Sequence, residues 1–348
     1  MSSSLARIIP IFLGVLIFTP AASQAPRPKA GLNRAKVPVP TATTASIHVT
    51  ISGTQPAKKW ENKEQIYLDF APGGKIQGGG THGLTFKNCK GIKITGPPDG
   101  YGLITGYGGR GIYLQNCQGI IISRIHIDKC GQDQNQYGGP PGLLAAQCTG
   151  LIIEWSRFSR NGTHGVYIGD SCKDFEVSDC EMWENRSCGV QVNAVSADHP
   201  PGSQPHNDGW AANFWVVRNK LDRNGSLGTG GFNFMSTKQG QVYDNWIRRA
   251  QNGIALSNNT VSGRGASGLH LHGNLVEALQ KPWFTATSDS GTKERPNGIR
   301  DEVGMSGKKA TPSKYCVDEG GNARYASISA AQAAGAVPKA FVDMRLGN

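Results

Sequence analysis

Between residues 64 and 280 the chain returns again and again to a short phrase, Gly-apolar-x-apolar. It appears as HGLTF from His82, RGIYL from Arg110, PGLLA from Pro141, HGVYI from His164, CGVQV from Cys188, GGFNF from Gly230 and NGIAL from Asn252. Alternation over four or five positions predicts a strand with one face buried. Successive phrases begin 28, 31, 23, 24, 42 and 22 residues apart. Each is followed by a turn and a second strand of the same grammar: GIKIT, GIIISRIHI, GLIIEWSRF, DFEVSDCEM, NFWVVRNKL, GQVYDNWI and GLHLHGNL. A fixed unit lengthened only at its turns predicts stacked coils, because one coil cannot bury its apolar strip alone. The LxxLxLxxN frame of leucine-rich repeats is absent, and a large β-sandwich is the alternative architecture.

Small and polar residues recur at equivalent bends. Ser156, Cys180, Asn219, Asn245 and Asn274 form one such set, and an Asn amide can bond the backbone of the next coil. Cys89, Cys117, Cys148 and Cys172 share another bend, which predicts a buried column of small polarizable side chains, with pairing of adjacent cysteines open. Coils of this length with short strands resemble the right-handed parallel β-helix of secreted pectate lyase-like proteins. The fold class expected is all-β, a right-handed parallel β-helix closed by a short C-terminal helix and strand. The expected organisation is a signal peptide over 1–25, a flexible lead-in over 26–46, the β-helix over 47–280 and a C-terminal segment over 281–348. In that last segment 281–324 reads as a loop running back along the coils, Ser327 to Gly335 as a helix with a Ser cap and a Gly stop, and Ala340 to Met344 as a final strand.

Composition narrows the setting. Gly is 47 of 348 residues without a Gly-X-Y period, and 38% hydrophobic content supports a packed core, so collagen and wholesale disorder are excluded. The net charge of +11 is uneven: Arg7, Arg27, Lys29, Arg34 and Lys36 face no acid in residues 1–40, leaving the rest mildly basic. No basic block with interleaved aromatics marks a nucleic-acid surface. Arg7, the apolar run from Ile8 to Phe18 and the small residues after it have the layout of a secretory signal, cut after Ala22, Ser23 or Ala25, and the run is too short to span a bilayer. A secreted or periplasmic monomer without a membrane span is expected.

The second and fourth residues after each Gly should point outward. They place Tyr113, Tyr167, Gln191, Asn193 and Asn233 on one strip, a set suited to stacking on sugars and bonding their hydroxyls. Arg110 and His164 precede their Gly residues at its rim, Arg186 lies just before Cys188, and His206 and Asp208 sit on the longest insertion, 194–212. A glycoside hydrolase needs two carboxyl groups about one bond, and the strip has none; only Asp170 lies at its edge. The NTD, DD, GHG and RIK set of polygalacturonases on this fold cannot be assembled. An eliminating lyase instead needs groups that hold a uronate carboxylate and a base for the adjacent C–H. The expectation is therefore a lyase or C5-epimerase-like enzyme on an acidic extracellular polysaccharide, with His164, Tyr167 and Arg186 catalytic. Arg110, Tyr113, Gln191, Asn193, Asn233, His206 and Asp208 would bind substrate. A non-catalytic glycan-binding β-helix is the alternative. No metal site is expected: His270 and His272 face outward together but lack a third ligand. Calcium is the only cofactor left open, without clustered carboxylates to quote for it.

Overall fold

In the computed structural model the described residues are 37–132, 139–194, 208–227, 229–259, 262, 264–279, 284–286, 297–300, 303–305, 316–320, 322–325 and 328–336. The signal-peptide reading over 1–25, residues 26–36 of the lead-in and the strand expected at 340–344 lie outside them. From Ile47 onward the strands fall into three parallel sheets of 11, 11 and 9 strands, each strand pairing with its counterpart one coil away. The Gly-apolar-x-apolar strands make up most of the third sheet: His82–Lys87, Arg110–Gln115, Leu143–Ala146, Val166–Gly169, Val190–Asn193, Gly230–Met235 and Asn252–Leu256. The second strand of each unit lies in the first sheet, and the short strand completing a coil lies in the second.

The bends explain the tight packing of three strands into each coil. A residue in the left-handed region turns the chain, such as Asn88, Asn116 and Gln147 between the third and first sheets, or Trp155, Asp179 and Arg218 between the first and second. That conformation costs a non-glycine residue about 1–2 kcal/mol. It is offset by the next residue, which points inward and bonds along the stack. At the first-to-second bend Asn219 Oδ1 accepts the Cys180 N–H (3.1 Å), Asn219 Nδ2 donates to Asn245 Oδ1 (3.0 Å) and Asn245 Nδ2 to Asn274 Oδ1 (2.8 Å). A second ladder runs at the bend between the second and third sheets, where Asn161 Nδ2 donates to Asn185 Oδ1 (2.9 Å) and Asn185 Nδ2 to Asn224 Oδ1 (3.0 Å). The motif's glycine has a steric cause: a Cβ at Gly111 would stand 2.3 Å from Ile127 Cγ2, and one at Gly189 2.3 Å from Leu221 Cδ2.

Inside, aliphatic rows and stacked rings fill the coils, with Phe175 on Phe214 at 4.9 Å and Phe214 on Phe234 at 5.7 Å. Cys89, Cys117, Cys148 and Cys172 are buried free thiols at one corner, joined by a Cys148 N–H donated to Cys172 Sγ (3.2 Å). The coils run further than the motif does. Strands Phe284–Ala286, Asn297–Arg300, Val303–Met305, Cys316–Gly320 and Ala323–Tyr325 extend the sheets beyond Leu279, where the sequence pattern suggests a returning loop. Their short sequences lack the regular alternation while still pairing through the backbone. The helix Ile328–Ala333 follows, and Gly335 takes the left-handed conformation expected of its stop.

Candidate functional site

The parallel register aligns the outward residues of the third sheet in two rows. One row runs Thr85, Tyr113, Leu144, Tyr167, Gln191, Asn233 and Ala255. The other runs Lys87, Gln115, Ala146, Gly169, Asn193 and Met235. The strip foreseen from the sequence is thus assembled, although Gln191 and Asn233 are buried beneath their surroundings. Asn233 Oδ1 has no hydrogen-bond partner among the described residues.

Two His–Tyr contacts lie on this face, their tyrosines two coils apart. His82 lies 5.2 Å from Tyr113, and His164 stacks on Tyr167 at 5.3 Å. In each, the histidine Nδ1 accepts a backbone N–H from a later coil: from Arg110 to His82 (3.2 Å) and from Cys188 to His164 (3.2 Å). A neutral ring whose Nδ1 accepts carries its proton on Nε2, so His164 presents a donor to the face. Burial pushes the His164 imidazole down to about 3. Burial, with the Arg110 charge beside it, brings His82 down to about 4.

Arg110 occupies the rim at the first contact. Its guanidinium lies over the Tyr113 ring at 4.9 Å, Nη1 is 3.5 Å from His82 Nε2, and the buried Nε has no partner among the described residues. Desolvation lowers its pKa, partly opposed by Tyr113 and Tyr167. Among the described residues no carboxylate pairs with it. The Tyr167 phenol is pushed up to about 12 by burial; the hydrogen bond donated by Asn193 Nδ2 (3.2 Å) and the Arg110 charge oppose the rise. Asn259 Nδ2 in turn donates to Asn193 Oδ1 (2.7 Å).

The structure does not bring every expected residue here. Arg186 lies on the bend before its strand, where its N–H donates to Asn161 O (3.2 Å) and its carbonyl accepts the Leu227 N–H (2.8 Å). No contact joins its guanidinium to His164 or Tyr167 among the described residues; the cation that Tyr167 senses is Arg110. Asp208 sits at the far edge of the face, ion-paired to Lys173 at 2.9 Å. His206 lies outside the described residues. The ladder of Asn161, Asn185 and Asn224, which holds this rim in place, escaped the sequence reading, although three Asn residues each at the start of a turn were its visible signal. Among the described residues no group of three or more His, Cys, Asp or Glu is placed to hold a metal ion. No helix among them is long and apolar enough to cross a membrane.

Residues 75–199 match the family model described as a right-handed β-helix region. No curated protein sequence matches the chain. Among solved structures, the A-module of the mannuronan C-5 epimerase AlgE4 from Azotobacter vinelandii is 12% identical, covering 77% of this chain and 90% of its own, with a TM-score of 0.50. An alginate lyase from Paenibacillus sp. str. FPU-7 is 12% identical over 81% of this chain and 97% of that one, at 0.49. Pectate lyase Pel9A is 12% identical over 80% and 69%, at 0.47. At such identities the likeness is one of fold. The chain is a right-handed parallel β-helix.

Proposed function

We propose that the protein acts on an acidic polysaccharide outside the cytoplasm, held along the outer face of the third sheet, by β-elimination or the related C5 epimerisation of a uronate. The observation that carries this reading is Arg110, a desolvated guanidinium beside two tyrosines whose Nε is unpaired among the described residues. A buried cation with spare donors suits a planar carboxylate. Both reactions begin with loss of the proton next to that carboxylate, and neutralising its charge makes the proton easier to remove. Tyr167 can serve both steps of an elimination: in its resting form it gives a proton to the departing oxygen, and as phenolate, which the Arg110 charge favours, it takes one from carbon. Activity would then rise toward alkaline pH. The His164 Nε2–H adds a donor beside it.

One observation favours a second reading, in which the face binds and does nothing more. The two histidines are held alike by main-chain N–H groups, as repeated structural parts would be. A screen of polyuronates for the ultraviolet absorbance of an unsaturated product, paired with sugar analysis for epimerised residues, separates the two. Product formation that falls about 10²- to 10⁴-fold in Tyr167→Phe supports the catalytic reading. Binding without either product establishes the second.

A further inference from the structure

A cluster of cations lies at the opposite edge of the same face, where the third sheet bends into the first. Lys173, Asp208 with Trp210, Lys238 and Arg264 come from four successive coils. Asp208 Oδ2 takes Lys173 Nζ at 2.9 Å and Lys238 Nζ at 3.8 Å, while the Asp208 carbonyl accepts from Arg264 Nη1 at 2.8 Å. Trp210 is fixed from several sides: its N–H donates to Asp208 Oδ1 (3.1 Å), and Lys238 Nζ and Arg264 Cζ lie 5.5 and 5.1 Å from its ring centre. Among the described residues two lysines thus share the Asp208 carboxylate while Arg264 takes its carbonyl, so three cations contact a single acid in a half-buried place. Holding like charges together is unfavourable unless an anion joins them.

The cluster is continuous with the strip. Arg264 O accepts the Asn259 N–H (3.0 Å), and Asn259 bonds Asn193, the partner of Tyr167. From the coil of Arg110 to that of Lys238 is four steps in the third sheet, each about 4.8 Å. We infer that Lys173, Lys238 and Arg264 around Trp210 form a second anion subsite, which takes a negatively charged substituent, carboxylate or sulfate ester, on a sugar several residues along the chain bound at Arg110. This rests on the glycan reading above and extends it: the ligand must be charged at repeated positions, and its chain crosses the face diagonally from the Arg110 rim to the Trp210 edge.

The test is calorimetric titration of the full-length protein with size-fractionated polyuronate oligosaccharides, a carboxyl-reduced polymer and a sulfated neutral polymer. The variants are Lys238→Ala/Arg264→Ala, Asp208→Asn and Arg110→Gln, each with its melting temperature recorded. The double variant should lose about tenfold in affinity for long oligosaccharides and nothing for a disaccharide, with a shallower dependence on salt. Asp208→Asn, which removes the resident negative charge, should bind long chains more tightly; this arm keeps the test alive if the double variant fails to fold. Binding of the sulfated polymer that depends on the cluster identifies sulfate as an accepted anion, and binding of polyuronate alone identifies carboxylate. If the double variant and Asp208→Asn both bind long chains like wild type while Arg110→Gln loses them, the second subsite is overturned and the first stands. If Arg110→Gln also binds unchanged, the glycan reading itself fails.

Discussion

His82 and His164 each commit a ring nitrogen to the main chain of a later coil, and that choice makes acid the condition that weakens this face. The folded His164 sits at about 3 against an ordinary 6.5, so the unfolded chain takes up the proton first. Its contribution to stability is therefore complete above pH 6.5 and declines as pH falls toward 3. The melting temperature should drop between pH 7 and pH 4, and His164→Asn, which keeps an acceptor for the Cys188 N–H but cannot titrate, should drop less steeply. Parallel slopes in a thermal scan at several pH values would show that His164 does not carry the effect. At this scale the sequence showed which side chains face outward, because strand alternation is strict. It did not show that Arg110 is desolvated or that its charge is the one felt at Tyr167, since both depend on how neighbouring coils crowd the rim.

At the scale of the element, the bends hold the coils in register. Replacing Asn219 with Ala would leave the Cys180 N–H and the Val177 carbonyl without their side-chain partner in a dry interior. At about 1–3 kcal/mol for each of the two stranded groups, the loss should be about 2–6 kcal/mol and be visible in urea denaturation as a lower midpoint. A change below 1 kcal/mol would mean the ladder contributes little. The thiol column makes a separate prediction. Hydrogen bonding from Cys117 and burial hold the Cys89 thiol well above its ordinary range, and burial brings Cys130 up to about 12. The seven buried free thiols, Cys89, Cys117, Cys130, Cys148, Cys172, Cys180 and Cys188, should resist a thiol reagent until the chain unfolds, and reductant should leave the melting temperature unchanged. A large drop on reduction would instead reveal structural disulfides. Both columns at the first two bends were legible as recurring Cys, Ser and Asn. The strands after Leu279 were not, because backbone pairing in a stack persists after side-chain alternation has faded.

Across the whole molecule, repetition aligns the outward side chains in rows, and in the proposed reading departures from repetition supply the chemistry. Tyr113 and Tyr167 recur two coils apart with Leu144 between them in the same row, so an extended chain can lie along the stack and meet rings at intervals. Arg110 breaks the pattern as a cation that no carboxylate among the described residues pairs with, and in the proposed reading a ligand brings one. The direct measurement is the affinity of wild type and Arg110→Gln for a polyuronate and for its carboxyl-reduced form, by calorimetric titration at fixed salt. The account predicts that wild type binds the charged polymer at least tenfold more tightly than the reduced one, and that Arg110→Gln erases the difference. Equal binding of both polymers by wild type, or an undiminished preference in the variant, would contradict it.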